Sequence, residues 1–447
     1  MKNTKFFMST NPRTNLIKKN IIGSLGVKGI TILNSLIMVP VTIGYISSEL
    51  YGVWLTLTSI INWIAFFDIG FGNGLRNKLA EALAIQDYKK AKAYISTTYF
   101  YTFCIFSMIA VVGYFLTAHI NWANLLCVSS FLNDRLIDVV RIVIICFAIQ
   151  MVLKTQTTVL YALQKSALAN FIDAVGQVLS LLGILILSKL TFPSLSSLAW
   201  VICCSPLLVL FLYTLYVYIY RYKNISPSFS CIKAVYAKDI LSLGGSFFII
   251  QIACLLLYQT TNIIIARVSG TESVTEYNVV FKYLNVATMI FSIIMIPIWS
   301  AFTDAFVKED YMWMRSIYGK LLKIFYFSLG ILCFMVISYP LAFWLWLGDK
   351  VDVHLEMVLV VAAFMIVTMW NAIHAQIING IGKIRLQLYL SLTATFCNIP
   401  LAFFLGGIWG AEGGVMSIVM YNILPAIFLN IQVRKLLYQT AKGIWMK

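Results

Sequence analysis

Charged side chains are scarce in this sequence. They make up 11% of the 447 residues, whereas 61% of the residues are hydrophobic. A soluble globular protein has an apolar share of about 45 to 50%, and no polar stretch here is long enough to bury a core of its own. The composition therefore excludes a soluble protein, argues against extramembrane domains and predicts a chain that lies mostly in lipid.

Residue patterns that hold metals or nucleotides are also lacking. The three histidines form no His-Glu-x-x-His pattern, and the nine cysteines lie mostly in apolar segments without Cys-x-x-Cys spacing. No Gly-x-x-x-x-Gly-Lys-Ser/Thr string is present. We therefore expect no catalytic residues, no bound metal and no cofactor, and coupling to H+ or Na+ is left open.

Apolar segments of about 20 residues, the length that crosses a bilayer as a helix, recur along the whole chain. They are residues 21–46, 51–71, 94–116, 139–163, 167–187, 198–220, 240–266, 277–299, 317–337, 355–378, 386–405 and 413–437. This pattern predicts an all-α integral membrane protein of about twelve transmembrane helices. We expect two six-helix bundles, residues 1–222 and 223–447.

Basic residues are concentrated in alternate gaps between these segments. Of the 33 lysines and arginines, 25 lie in the terminal segments and in every second gap, and only five lie in the other gaps. Because positive residues are retained on the cytoplasmic side, we expect both termini in the cytoplasm. The net charge of +16 is then explained by topology and by attraction to anionic membrane lipids, so we expect no nucleic-acid partner.

Two short strings of the first half recur in the second half. Residues 84–94, AIQDYKKAKAY, resemble residues 307–317, VKEDYMWMRSI, at an offset of 223 residues. Residues 162–168, ALQKSAL, resemble residues 380–386, GIGKIRL, at an offset of 218 residues. A direct repeat of six helices starts and ends on the same side of the membrane, so we expect a pseudo-two-fold axis along the membrane normal.

Polar side chains inside the predicted helices recur every three or four residues, which places each set on one helical face. The sets include Ser24 and Lys28; Gln150, Lys154 and Tyr161; Asn170, Asp173 and Gln177; Gln251; Lys282 and Asn285; and Asn371 and His374. Because unsatisfied polar groups are costly in lipid, we predict that these faces surround a water-filled cavity.

Cations outnumber acids along these faces, with Lys28, Lys154 and Lys282 against Asp173. An electropositive cavity favours an anionic ligand such as a phosphate group, so we predict that the three lysines bind substrate. Each also has a structural alternative. Lys28 and Lys282 could snorkel to the interfaces, and Lys154 could form an ion pair with Asp173. His374 could be a hydrogen-bonded packing residue.

At this point the motifs resemble those of a known family, the bacterial Wzx-type polysaccharide and O-antigen flippases of the MOP exporter superfamily. The resemblance is carried by residues 51–99 and most clearly by three motifs in order. They are Asp68-x-Gly70-x-Gly72-Asn73-Gly74-Leu75-Arg76-Asn77-Lys78, then Thr303-Asp304-Ala305 with Asp310-Tyr311, then Asn379-Gly380-x-Gly382-Lys383. Their order along most of the chain, rather than any one of them, identifies the family.

The resemblance implies a V-shaped, MATE-like fold in the bacterial inner membrane. It implies that an oligosaccharide on undecaprenyl pyrophosphate is moved from the cytoplasmic to the periplasmic leaflet, with polysaccharide polymerase or chain-length proteins as further partners. The motif residues Asp68, Arg76, Lys78, Asp304, Asp310 and Lys383 lie at predicted cytoplasmic helix ends. There we expect the acids to pair with Arg76, Lys78 or Arg315 and hold a gate. Asp173 is the best-placed carboxylate for ion coupling.

Two other functions fit the same number of helices. A MATE-type cation-coupled multidrug antiporter shares the fold, but it would require a cavity of the opposite charge. An O-antigen polymerase or ligase generally needs a sizeable periplasmic loop, whereas the longest predicted outer gap, residues 117–138, has about twenty residues and no clustered acid, base or nucleophile.

Overall fold

A computed structural model describes residues 12–46, 50–51, 53–54, 70–122, 133–347 and 353–446. Every long regular element in these residues is a helix. The helices are α1 (Pro12–Ile46), α2 (Phe71–Ala84), α3 (Tyr88–Thr117), α4 (Asn133–Leu153), α5 (Thr155–Ala162), α6 (Ser166–Leu190), α7 (Leu195–Tyr216), α8 (Ala234–Val307), α9 (Tyr311–Leu347), α10 (Leu355–Ile381) and α11 (Arg385–Leu437). A π-helical turn, Val217–Arg221, extends α7.

Ten helical segments of the described residues are long and apolar enough to cross a membrane. Helix α8 is interrupted at Gly270, where φ is 86°, between the spans Ala234–Gly270 and Glu276–Val307. Helix α11 has 53 residues, enough for two crossings, and its backbone leaves the helical region at Trp409 and Gly410. Predicted helix 2 lies almost wholly outside the described residues. The prediction of an all-α membrane protein is confirmed.

The chain forms two compact units, Met1–Gly245 and Ser246–Lys447, called here the N-terminal and C-terminal units. The division falls 23 residues after the predicted boundary at residue 222. The intervening segment belongs with the first unit because it is tied to α3: the Ser228 N–H donates to Ser96 Oγ at 2.9 Å, and the Tyr94 hydroxyl donates to Asp239 at 2.5 Å.

The turns of the internal repeat have the same backbone geometry in both halves. Gln86 and Glu309 are left-handed, with φ of 60° and 55°. The aspartate that follows each accepts a hydrogen bond from the backbone N–H three residues later, at 2.9 and 3.2 Å, and thereby caps the next helix. Gln164 and Gly382, each just before a repeated lysine, have φ of 58° and 79°. The two short sequence matches therefore mark equivalent turns.

Two apolar clusters of the N-terminal unit lie on either side of the candidate site. One joins Phe106 of α3 and Val139 of α4 to residues of α6 and α7. The other joins Leu75 and Leu79 of α2 to Tyr94 of α3 and to the first turns of α8. Burial of these side chains holds α2, α3, α4 and α5 together, and the space between the two clusters contains the candidate site.

Candidate substrate-binding site

A chain of polar contacts crosses four helices of the N-terminal unit. Asn170 of α6 donates to Ser24 of α1 at 3.1 Å, and the Tyr161 hydroxyl of α5 donates to Asn170 Oδ1 at 3.2 Å. The Arg76 guanidinium of α2 lies 5.1 Å from the centre of the Tyr161 ring. Burial lowers the pKa of Arg76 to about 10, so the side chain keeps its charge at neutral pH. Three predicted polar faces and one motif residue are thus brought together.

Helix α1 is fixed along α6 by side-chain amides rather than by apolar packing alone. Asn20 donates to the carbonyl of Gln164 at 2.7 Å and accepts from the N–H of Ala167 at 3.1 Å. Farther along, Asn34 donates to the carbonyl of Gln177 at 3.3 Å. In lipid such bonds have no competing water, so they orient the predicted polar face of α1 toward that of α6.

Lys154 lies in the fourth predicted helix, between the last residue of α4, Leu153, and the first residue of α5, Thr155, and its backbone stays in the helical region. Its exposed side chain lines a pocket of about 110 Å³, called here the threonine pocket. The other polar lining residues are Thr98, Thr102, Thr155, Thr157 and Thr158. Phe106 and Leu75 close the pocket from the two apolar clusters. The pocket therefore combines one ammonium group with five hydroxyls.

Lys154 and Asp173 interact through their charges but form no direct ion pair. The charge of Lys154 acts on Asp173, whose side chain is exposed. The ion pairs that the described residues make are elsewhere, at 2.7 to 3.8 Å. Lys28 of α1 is half-buried and forms no ion pair with a described residue. The ammonium groups of Lys28 and Lys154 are thus not neutralised by direct contact with a carboxylate of the described part of the chain.

Two further predicted lining residues of this unit, Gln150 and Gln177, accept hydrogen bonds on their backbone carbonyls. Gln150 accepts a hydrogen bond on its carbonyl from the N–H of Lys154 at 2.8 Å, which continues the helical hydrogen bonding from α4 into α5. The side chains of Gln150 and Gln177 are half-buried. Neither side chain is on the threonine pocket.

The C-terminal unit has a pocket of its own, of about 310 Å³, called here the asparagine pocket. Its polar lining residues are Asn285, Thr288 and Ser292 of α8 and Thr368 of α10. The Thr288 hydroxyl donates to Asn285 Oδ1, and Thr368 Oγ1 is buried without a hydrogen-bond partner. This lining is uncharged and offers amide and hydroxyl groups, which suit the hydroxyls of a sugar.

His374 is enclosed within the C-terminal unit, with no exposed surface. Its Nε2 is 3.1 Å from the Tyr318 hydroxyl and its Nδ1 is 2.8 Å from the carbonyl of Trp370. These contacts place His374 in the packing of α9 and α10, away from the asparagine pocket. Its neighbour Asn371 donates to the Asn422 carbonyl at 3.0 Å.

The other predicted residues of this unit do not line the asparagine pocket. Asn371 Oδ1 and Gln251 Oε1 are both buried without a hydrogen-bond partner. Lys282, in contrast, is exposed and forms no ion pair with a described residue. The structure therefore brings Asn285 to a pocket, but it does not gather Gln251, Lys282 and Asn371 around it.

Most of the described motif residues at the predicted gate form side-chain contacts with residues three or four positions away in sequence. Lys78 pairs with Glu81 at 3.1 Å, and Asp304 pairs with Lys308 at 2.7 Å. Asp310 caps α9, and the Lys383 carbonyl accepts from Gln432 at 2.9 Å. Arg315, an expected partner of the acids, donates instead to the Leu437 carbonyl at 2.9 Å. Asp68 lies outside the described residues.

The threonines were missed by the sequence analysis because single hydroxyls do not stand out in apolar helices. A usable signal was present, since Thr98 and Thr102 of α3 and Thr155 and Thr158 of α5 recur at helical spacing. Within the described ranges, no group of three His, Cys, Asp or Glu side chains is arranged to hold a metal.

Comparisons with known proteins agree with this architecture. A family model described as polysaccharide biosynthesis protein matches residues 17–302. Over 408 residues the chain is 22% identical to a Salmonella typhi protein provisionally named an O-antigen transporter, with 89% of each chain covered. A Salmonella typhimurium protein with the same provisional name is 20% identical over 398 residues, which cover 82% of this chain and 89% of that one.

Solved structures show the same fold. An outward-facing multidrug resistance MATE family transporter of the MOP superfamily matches with a TM-score of 0.79 at 15% identity, over 97% of both chains. A MATE structure in the bent conformation has the same TM-score and identity and covers 97% of this chain and 100% of its own. At this identity the likeness concerns the fold alone, which is MATE-like.

Proposed function

Because the chain belongs to the polysaccharide biosynthesis protein family, as its resemblance to Wzx-type flippases predicted, we propose that it is a transporter that flips a lipid-linked oligosaccharide across the membrane. The cargo we propose is an oligosaccharide on undecaprenyl pyrophosphate, for O-antigen, capsule or exopolysaccharide assembly. It moves by alternating access from the cytoplasmic to the periplasmic leaflet of a bacterial inner membrane, with both termini of the protein in the cytoplasm.

The observation that carries this proposal is the environment of Lys154. An ammonium group within a membrane-spanning segment is costly unless it meets a partner or water, and Lys154 has no carboxylate in direct contact among the described residues. Five threonine hydroxyls share its pocket. A phosphate group supplies the missing negative charge, and the hydroxyls of Thr155 and Thr158 can donate to it. Those of Thr98, Thr102 and Thr157 donate to backbone carbonyls and can accept from water.

The size of the threonine pocket limits which part of the cargo it can take. About 110 Å³ is enough for a phosphate-sized group or a few waters and too small for an oligosaccharide. The uncharged asparagine pocket, at about 310 Å³, fits a sugar better. In this proposal Lys154 holds the anionic linkage of the cargo.

Ion coupling is part of the proposal through Asp173. Its carboxylate is exposed and lies under the influence of the Lys154 charge. A proton or Na+ at Asp173 would change the local charge by one unit and so change the affinity of the neighbouring cation for phosphate. Asp173→Asn should leave flipping in place but remove its dependence on an imposed proton or Na+ gradient.

The test in cells replaces the three candidate cations in a strain that lacks the chromosomal gene. Alanine at Lys28, Lys154 and Lys282 should abolish surface-glycan assembly and make lipid-linked intermediates accumulate in the cytoplasmic leaflet. Lys189→Ala is the matched control, because Lys189 is an exposed lysine at the end of α6. Unchanged glycan with altered dye resistance would favour the multidrug antiporter instead.

A further inference from the structure

A second pocket of the N-terminal unit is lined by α3 and the segment that follows α7. It has a volume of about 440 Å³ and lies between α3, the end of α4 at Val152 and the connecting segment that contains Phe229. We call it the connector pocket. Its lining is almost entirely apolar, and the lining residues Phe100, Phe103 and Phe229 are 39%, 58% and 88% exposed. Such exposure fits contact with hydrocarbon chains.

Hydrogen bonds hold the connecting segment in place over this pocket. The Ser228 N–H donates to Ser96 Oγ at 2.9 Å, and the Ser96 hydroxyl donates to the Lys92 carbonyl at 2.7 Å. The Lys233 N–H donates to Thr97 Oγ1 at 3.3 Å. The segment is therefore anchored at both ends of the Phe229 turn, and the pocket beneath is part of the fold.

Two lysines flank the lining residues in sequence, one turn before Ser96 and directly after Ile232. Lys92 precedes the lining residues on α3, and Lys233 follows them on the connecting segment. Neither ammonium forms an ion pair with another described residue. The nearby carboxylate of Asp239 already accepts a hydrogen bond from Tyr94, and that of Asp87 caps α3. The two lysines therefore remain available for an anion.

The distances along α3 match the dimensions of a lipid. A helix rises about 1.5 Å per residue, so Phe100 to Cys104 lie roughly 12 to 18 Å beyond Lys92. One leaflet of the hydrocarbon core is about 15 Å thick. An anionic headgroup at Lys92 would thus place its acyl chain along the whole apolar lining.

We propose that the connector pocket binds an anionic phospholipid of the cytoplasmic leaflet, with one acyl chain between Phe100, Phe103 and Phe229 and the phosphate at Lys92 and Lys233. Basic groups next to a membrane-facing apolar pocket are the arrangement by which membrane proteins retain anionic lipids. A glycan is disfavoured as the occupant because the pocket walls offer few hydrogen-bonding groups. The bound lipid would hold the connecting segment against α3.

The experiment measures lipid retention by the purified full-length protein with native mass spectrometry. The protein is mixed with phosphatidylglycerol, phosphatidylcholine or undecaprenyl phosphate at equal concentrations. Phosphatidylglycerol should be retained most strongly. The double change Lys92→Gln and Lys233→Gln should weaken its retention by about thirtyfold, from the usual contribution of two basic residues near a membrane surface.

A matched pair of charge changes serves as control. Lys19→Gln with Lys323→Gln removes the same charge at two exposed lysines on other helices, and it should leave retention unchanged. An equal loss of phosphatidylglycerol retention in both double variants would show only a general attraction of the basic surface for anionic lipid. It would refute the proposed binding site.

A second variant tests the pocket itself. Cys104→Trp fills the cavity that Cys104 lines and should lower phosphatidylglycerol retention, whereas Cys333→Trp, at another exposed cysteine, should not. Equal retention of phosphatidylglycerol and phosphatidylcholine, or no effect of Cys104→Trp in folded protein, would refute the proposal. Preferential retention of undecaprenyl phosphate would replace it with a site for the chain of the cargo. If Cys104→Trp does not fold, the retention of phosphatidylglycerol by the two double lysine variants tests the proposal.

Discussion

Gly70 and Gly244 bring two backbones of the N-terminal unit into direct contact. A Cβ atom on Gly70 would lie 1.8 Å from the Gly244 carbonyl oxygen, and a Cβ atom on Gly244 would lie 2.3 Å from that of Gly70. One turn later, a Cβ atom on Gly74 would lie 2.4 Å from the Ile240 carbonyl oxygen. The glycine-rich motif is therefore a helix-packing surface, in which small residues let α2 and the start of α8 approach closely.

This contact predicts opposite outcomes for two adjacent glycines. Gly244→Ala inserts a methyl group against backbone that cannot move aside, so we expect a loss of about 1 to 3 kcal/mol in stability. Gly245→Ala is the control, since no atom lies within 4 Å of its added Cβ, and it should be neutral or slightly stabilising. Thermal unfolding of the detergent-purified variants measures both. Equal unfolding temperatures would contradict the close packing.

Two substitutions of Tyr161 separate the role of its ring, which contacts Arg76, from that of its hydroxyl, which bonds to Asn170. Tyr161→Phe keeps the aromatic face under Arg76 and loses only the bond to Asn170, for which we expect about 1 kcal/mol of destabilisation and retained glycan export. Tyr161→Leu also removes the aromatic ring, so the buried Arg76 guanidinium loses its cation–π contact. We expect this variant to lose export. Equal behaviour of the two variants would show that the cation–π contact has no role.

The asparagine pocket allows an exchange that keeps the branched shape of a side chain. Asn285→Leu replaces the amide with an apolar group of the same branching, and Thr288 can still donate to the carbonyl of residue 285 at 2.8 Å. We expect unchanged thermal stability and a loss of glycan export. Met289→Leu, on the same pocket, should preserve both. Full export by Asn285→Leu would exclude this pocket from cargo binding.

A pH-dependent contact joins two predicted outer helix ends of the C-terminal unit. The His354 N–H donates to the buried Glu276 carboxylate at 2.7 Å, and His354 Nδ1 is 3.1 Å from the same oxygen. The hydrogen bond and charge of Glu276 raise the pKa of His354 above its usual value. Because the folded-state pKa is the higher one, the stabilisation is complete below about pH 6.5 and is lost as pH rises through the folded value.

The measurement for this contact is the unfolding temperature between pH 5.5 and pH 9. The wild-type protein should lose stability relative to His354→Gln as pH increases across the raised pKa. His119→Gln, at an exposed histidine whose ring forms no ion pair with a residue of the described ranges, should follow the wild-type curve. A constant difference between wild type and His354→Gln over the whole range would contradict the assignment.

The sequence allowed the helices and their polar faces to be predicted because both depend on local periodicity. Ser24, Tyr161 and Asn170 were placed on separate helical faces from their spacing alone, and the structure joins all three. The repeated turns could also be predicted, because the strings around Asp87 and Asp310 match in sequence. In the structure, the residue before each aspartate adopts the same left-handed conformation.

Features that depend on contacts distant in sequence could not be predicted. The connecting segment after residue 222 is charged, like an ordinary loop, and the bonds of Ser228, Lys233 and Asp239 to α3 assign it to the N-terminal unit. His374 has the spacing of a cavity residue, and its burial against Tyr318 becomes apparent only once α9 and α10 pack together.

The most direct test of the account is flipping by the purified protein in proteoliposomes. A fluorescent oligosaccharide on undecaprenyl pyrophosphate is placed in one leaflet, and its exposure to a membrane-impermeant quencher reports translocation. We predict flipping by the wild type and by Lys189→Gln, and at least a tenfold slower rate for Lys154→Gln, which loses about one charge-assisted hydrogen bond to phosphate. Equal rates for Lys154→Gln and the wild type, or polymerisation of the glycan without translocation, would contradict it.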